Sequence, residues 1–171
     1  MDQIIDLLLF LVPMYFANSV PVVLGGGKPM DLGATFKDGQ RMLGDGKTIR
    51  GFVAGVLAGT VAGGIVAYYY QLPFFATPAL QFIGAFVLAL GTMVGDALGS
   101  FIKRRAKVGA GSPFLLDSLS FVIVSLALVY PFVDSSIYAP LNIAFILVLT
   151  MVVHPVTNFL ANRAGLKKVP W

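Results

Sequence analysis

The chain of 171 residues has no cysteine and no glutamate, and only 12% of its residues are charged. Without cysteine it has no disulfide framework, no zinc–thiolate site and no thiol nucleophile. Soluble domains carry about 25% charged residues, so this chain has too few of them to cover a surface that faces water. Because 57% of the residues are hydrophobic, intrinsic disorder is excluded as well. The composition therefore indicates an integral membrane protein.

Long apolar runs separate the few charges that the chain has. No charged residue occurs from Leu7 to Gly27, from Gly51 to Gly95 or from Ser135 to Asn162. At about 20 residues per crossing these runs predict four spanning helices, since Pro73 and Pro78 divide the longest run in two. The run 108–133, whose one charged residue is Asp117, predicts a fifth. We predict a single all-α membrane domain, residues 1–171, with helices at about 4–24, 51–70, 79–102, 114–133 and 139–162.

Lysine and arginine are distributed unevenly among the predicted connections. Five of the twelve lie in the loop 25–50, four lie in the loop 103–113, and three follow residue 162. The N-terminal end and the turns on the other side of the membrane carry none. Because basic residues favour the cytoplasmic side, we expect both charged loops and the C-terminus in the cytoplasm and the N-terminus outside.

Glycine recurs every four residues on two of the predicted helices. These stripes are Gly51, Gly55, Gly59 and Gly63 on the second helix, and Gly91, Gly95 and Gly99 on the third. Small residues let helix backbones approach closely in lipid, where packing replaces the hydrophobic effect. The stripes suit packing within the chain or a homodimer seam. On the third helix they also suit space for a ligand beside Asp96.

Two carboxylates occupy positions that lipid disfavours. Asp96 interrupts the uncharged run of the third helix, and Asp117 is close to the start of the fourth. An acidic side chain at bilayer depth costs at least about 2.5–3.5 kcal/mol, so it normally faces a polar cavity and has a partner. Helical spacing places a hydroxyl and two cations on the face of Asp96, namely Ser100, Lys103 and Arg104.

Two interpretations of these acids are open. One is a buried ion pair of Asp96 with Lys103 or Arg104. The other is a binding site, because the short loop before Asp117 returns the chain so that the two acids face each other. Paired carboxylates beside clustered bases suit Mg²⁺ with phosphates, since acids hold the metal and bases hold phosphate oxygens. We therefore predict a Mg²⁺–phosphate site that faces the cytoplasm.

A second basic motif, Gly46-Lys47-Thr48-Ile49-Arg50-Gly51, precedes the second helix. It resembles the end of a P-loop, but Arg41 occupies the position of the first glycine and no strand precedes it. At the mouth of a helix, Lys47 and Arg50 suit contact with anionic oxygens. The alternative is that they only set the topology, close to anionic lipid head groups.

Four further polar or aromatic residues have no assigned role. Asn18 suits either a pocket or a plain hydrogen bond between helices. His154 and Asn158 share one face of the last helix, where a satisfied core histidine is the simpler interpretation. Trp171 ends the tail Lys167-Lys168-Val-Pro-Trp, which suits anchoring at the membrane interface.

The segment Gly95-Asp96-x3-Ser100-Phe-Ile-Lys103-Arg104, followed by Asp117, resembles the C-terminal signature of the phosphatidate cytidylyltransferases. The size of the chain, the motif around Lys47 and the terminal Val-Pro-Trp resemble their short archaeal branch, the CDP-archaeol synthases, over essentially the whole chain. The bacterial signature differs in two respects. Its His-Gly-Gly is missing here, and Ser120 replaces the second acid of its Asp-Arg-x-Asp.

The resemblance implies transfer of a cytidylyl group from CTP to 2,3-di-O-geranylgeranylglyceryl phosphate, an unsaturated archaeal ether lipid phosphate, with release of pyrophosphate. It implies Mg²⁺ held by Asp96 and Asp117, with Lys103 as a further catalytic residue. The expected phosphate ligands are Lys47, Thr48, Arg50, Ser100, Lys103 and Arg104. The attacking phosphate is already ionised, so the reaction needs no base, in agreement with the absence of glutamate. Besides CTP and the isoprenoid lipid we expect membrane lipid as a partner, and no nucleic acid.

Two rival functions are weaker. A CDP-alcohol phosphotransferase requires D-G-x2-A-R, from which the chain departs after Asp45-Gly46. A small transporter, or an assembly subunit, would use Asp96 as an ion site. No charged path reaches the other face of the membrane and no inverted repeat is visible, so we favour the enzyme.

Overall fold

The computed structural model describes residues 2–109, 112 and 115–167, and its regular elements are all helical within those residues. Each of five segments is long and apolar enough to cross a membrane, which confirms the predicted fold class. The helices are α1 (Asp2–Leu24), α2 (Ile49–Tyr69), α3 (Pro78–Arg105), α4 (Leu115–Val129) and α5 (Pro140–Arg163). Two short 3₁₀ turns, Tyr130–Phe132 and Ser135–Tyr138, connect α4 to α5.

The ends of the helices follow local chemistry. The side-chain oxygen of Thr48 caps α2 by accepting from the amide of Gly51, and Thr77 caps α3 in the same way. α4 ends at Val129 rather than 133, because Pro131 lacks an amide hydrogen and tightens the chain into a 3₁₀ turn. α3 continues three residues past 102, so Lys103, Arg104 and Arg105 lie in its last turn. The predicted start of the fourth helix at 114 lies outside the described residues.

The glycine stripes pack helices of this one chain against each other. A Cβ added at Gly59 would approach atoms of Pro13, Ala17 and Ala89 to less than 3.0 Å, so α2 lies close to both α1 and α3. A Cβ added at Gly95 would meet the backbone of α4. The expected space for a ligand beside Asp96 is therefore filled by α4 on the side of the glycines.

The first loop, 25–48, is folded against the end of α3. Two backbone hydrogen bonds, from Met30 to Lys47 and from Ile49 to Lys28, tie its ends together. Its centre is held by a cluster that we call the loop clasp, formed by Asp31, Phe36, Asp38, Arg41, Phe101 and Arg105. Lys47 therefore lies at the end of a well-supported loop, two residues before α2 begins.

Candidate active site

A cavity of about 460 Å³ opens at the end of the bundle that carries the first loop. All five helices contribute to its wall, and so do the first loop and the segment after α5. Its volume is typical of a small-molecule site. Its polar and charged side chains are Asn18, Lys47, Thr48, Asp96, Ser100, Lys103, Arg104, Ser112, Asp117, His154, Asn158 and Lys167.

Two lysine–carboxylate pairs lie in this wall. The Nζ atom of Lys47 donates to Oδ2 of Asp96 at 2.6 Å, which joins the first loop to α3. The Nζ atom of Lys103 donates to Oδ2 of Asp117 at 2.5 Å and to the carbonyl oxygen of Ser112 at 2.6 Å. Asp117 lies in the first turn of α4, where the helix dipole also favours an anion. Both acids are thus partnered and still border open space.

Most of the predicted site residues come together, and one does not. Six line the cavity beside Lys47, namely Thr48, Asp96, Ser100, Lys103, Arg104 and Asp117. Arg50 is exposed on the first turn of α2 and lies outside the cavity wall. Asp96 is ion-paired, but its partner is Lys47 rather than Lys103 or Arg104. The hydroxyl of Thr48 accepts from the amide of Gly51 as the N-cap of α2, so its first role is to fix the start of that helix at the cavity wall.

A hydrogen-bonded chain on the part of the wall formed by α5 was not among the predicted site residues. The Nδ1 atom of His154 lies 2.9 Å from the hydroxyl of Ser118, and its Nε2 atom lies 3.1 Å from the amide nitrogen of Asn158. The amide oxygen of Asn158 accepts from Nζ of Lys167 at 2.9 Å. His154 is therefore satisfied, as expected, and it also lines the cavity. The four-residue spacing of His154 and Asn158, which puts them on one helix face, was the signal in the sequence for this hydrogen-bonded chain. Trp171 lies outside the described residues.

The charges of the wall suit a polyanion together with a cation. Among the described residues of the wall, four basic side chains and two carboxylates give a formal balance of +2, counting His154 as neutral. Within the described part of the chain, no group of three or more His, Cys, Asp or Glu side chains could hold a metal ion by itself. Mg²⁺ commonly takes one or two carboxylates together with water and substrate phosphates. Asp96 and Asp117 fit that mode of binding.

Comparisons with known proteins agree on one family. The family model described as "CarS-like: CDP-archaeol synthase" matches residues 1–171. A CDP-archaeol synthase of Pyrococcus horikoshii is 44% identical over 172 residues, covering 100% of this chain and 99% of that protein. One of Thermococcus kodakarensis is 45% identical over 163 residues, covering 95% and 93%. A solved intramembrane enzyme for archaeal membrane lipids biosynthesis has a TM-score of 0.76 and 34% identity, covering 88% of this chain and 91% of that one.

Proposed function

The chain belongs to the CDP-archaeol synthase family, and we propose that it uses Mg²⁺ to transfer the cytidylyl group of CTP to an unsaturated archaeal ether lipid phosphate in this cavity. It is a multi-pass membrane enzyme, a nucleotidyltransferase of archaeal lipid biosynthesis. One observation carries the proposed site. Two carboxylates and four cations from separate parts of the chain border a single cavity at one end of the bundle.

The two lysine–carboxylate pairs suit an exchange of partners. Without ligands, Lys47 neutralises Asp96 and Lys103 neutralises Asp117. A nucleotide phosphate can replace the carboxylate beside each lysine, and a divalent cation can replace the lysine beside each carboxylate. Each side chain then keeps a partner of opposite charge, so no charge is left buried without compensation. When bound, Mg²⁺ would neutralise charge on the phosphate oxygens.

The remaining side chains hold the reactants in position. Lys47, Lys103 and Arg104 bind phosphate oxygens, with Ser100 beside them on the wall of α3. An ionised oxygen of the lipid phosphate attacks the α-phosphorus of CTP. The bond between that phosphorus and the oxygen bridging to the β-phosphate breaks, and pyrophosphate leaves with the electron pair. Such a reaction depends on alignment and charge stabilisation, and it requires no general base.

The membrane setting fits the two substrates. The basic loops lie at the cavity end, so we expect this end in the cytoplasm, where CTP is available. The exterior of the helices is apolar, with exposed side chains such as Val23 on α1 and Val156 on α5. Isoprenoid tails can therefore stay in lipid while the phosphate enters between helices.

A reconstitution assay tests the proposal. The purified chain, in detergent or vesicles, is given CTP, Mg²⁺ and the lipid phosphate, and both pyrophosphate and CDP-lipid are measured. We expect both products only when all three components are present. Omission of the lipid, chelation of the metal and replacement of CTP by ATP are the controls. Pyrophosphate without CDP-lipid, or full activity in excess chelator, would contradict the proposed reaction or its metal requirement respectively.

A further inference from the structure

One cation of the cavity comes from beyond the last helix. α5 ends at Arg163, and the chain then turns back on itself at Gly165, whose φ is +74°. The amide of Leu166 donates to the carbonyl of Ala161, and that of Gly165 donates to the carbonyl of Asn162, both at 2.9 Å. This pair of bonds is the Schellman motif, which favours glycine at the left-handed position. We call residues 164–167 the C-terminal arm.

The turn brings Lys167 back to the level of the cavity. Its Nζ atom donates to the amide oxygen of Asn158 at 2.9 Å, and its carbonyl accepts from the side chain of Asn162 at 2.8 Å. The arm is thus held at two points by residues of α5. Lys167 lies in the cavity wall, although it is four residues past the end of the helix.

The surroundings of Lys167 match those of a phosphate ligand. Burial and the nearby Lys47 lower the pKa of Lys167, whereas Asp96 and Asp117 raise it. Lys167 therefore shares one electrostatic environment with both lysine–carboxylate pairs. Its ammonium group donates to the amide oxygen of Asn158, and a phosphate oxygen in the cavity can join this contact as a further acceptor.

We propose that Lys167 binds a phosphate of one substrate, and that the turn at Gly165 positions it together with Asn158 and Asn162 of α5. The inference deepens the proposed function, because it adds a ligand from beyond α5 to those of the first loop and α3. The chemistry that Lys167 recognises is a phosphate oxygen, which CTP and the lipid phosphate both supply.

Lys167→Met tests this inference, with Arg163→Met as the matched control. Both variants remove one positive charge from the same end of the chain, but Arg163 is exposed and stacks on Phe159. Binding of CTP with Mg²⁺ is measured by calorimetry, and KM is measured for each substrate. We expect Lys167→Met to weaken one of these constants about tenfold, the effect of losing one charged hydrogen bond. Lys167→Arg should retain most of the binding.

The outcomes separate the sources of the phosphate. Weaker calorimetric binding of CTP identifies the nucleotide, and a raised KM for the lipid alone identifies the lipid phosphate. If Lys167→Met matches Arg163→Met in all constants, the inference is overturned. The wild-type protein in the same preparation tests the proposed function separately. Should it form no CDP-lipid, calorimetry with pyrophosphate still decides whether Lys167 binds phosphate.

Gly165→Ala tests the positioning role of the arm. Alanine at a φ of +74° is strained, so the turn should loosen and Lys167 should lose its place. We expect the same constant to weaken as in Lys167→Met, by a smaller factor. In the double variant the two effects should not add, because Gly165 acts through Lys167. Additive effects would show that Gly165 acts by another route and would remove the arm from the inference.

Discussion

The loop clasp and the cavity both contain buried acid–base pairs, yet they use them differently. In the clasp, the side chain of Asp31 is only 1% exposed and accepts from Arg41 and from the amides of Leu43 and Gly44. In the cavity, the side chains of Asp96 and Asp117 are 23% and 33% exposed, and each pairs with one lysine. In the clasp, backbone amides donate to the carboxylate, whereas the carboxylates of the cavity pairs border open volume.

The difference distinguishes a structural ion pair from an exchangeable one. A carboxylate that accepts several fixed backbone donors cannot change partners without unfolding its loop. A carboxylate that faces one flexible lysine can exchange it for a metal ion or release it to a phosphate. Charge and ion pairing alone would class Asp31 and Asp96 together, so their burial and the identity of their donors separate them.

The largest expected effect comes from removing a cavity carboxylate. Asp96→Asn or Asp117→Asn should lower Mg²⁺-dependent turnover by about 100-fold or more, because each removes charge from the proposed metal site. The protein should remain folded, since asparagine fills the same space, although the midpoint of thermal unfolding should fall because the paired lysine loses its counter-charge. Turnover and unfolding are measured on the same detergent preparation. Near-normal turnover in either variant would class that acid with Asp31 as structural.

Lys47→Met should have the next largest effect. Loss of a charged phosphate ligand should raise KM for CTP about ten- to hundredfold. Arg50→Met is the matched control, because Arg50 is three residues away, equally charged and outside the cavity. We expect its KM to remain close to wild type. Equal effects of the two substitutions would indicate that the basic residues of this loop act through topology or general charge.

Asp31→Asn should act on the clasp more than on catalysis. Loss of the charged acceptor should lower the hydrogen-exchange protection of the amides of Leu43 and Gly44 about tenfold, with a smaller loss of turnover. Asp45→Asn is the control, because Asp45 pairs with the same Arg41 but its side chain is 86% exposed. It should leave the protection unchanged. A loss of turnover as large as in Asp96→Asn would abolish the distinction between the two regions.

The fold could be predicted because lipid imposes a simple rule. A helix needs about 20 apolar residues to cross, so runs with at most one charged residue predicted all five spans. Their ends were less accurate where local chemistry decided them, as at Pro131, where α4 gives way to a 3₁₀ turn. Spacing on α3 likewise predicted Ser100, Lys103 and Arg104 beside Asp96, since all four belong to one helix.

The partners of these residues depend on packing between distant segments. Lys47 reaches Asp96 across 49 residues of sequence, because α2 lies close against α3. The motif before the second helix grouped Arg50 with Lys47, but α2 begins at Ile49, so Arg50 lies exposed on the helix whereas Lys47 lies in the loop. Lys167 could not be placed from the pattern, since its position depends on the turn at Gly165.

The smallest expected effect is that of a change of pH, which should leave the loop clasp intact. The guanidinium of Arg41 and the amides of Gly44, Leu43 and Gly33 hold the pKa of Asp31 well below its usual range. A lowered folded pKa means that the contribution of Asp31 to stability is complete above its unfolded pKa of about 3.9. That contribution is lost only as the pH falls through the lower folded pKa. From pH 7 to pH 5, hydrogen-exchange protection of Leu43 and Gly44, corrected for intrinsic rates, should therefore stay constant. Loss of protection in this range in the wild type, but not in Asp31→Asn, would mean that Asp31 is protonated there and that its donors do not hold it as a structural carboxylate.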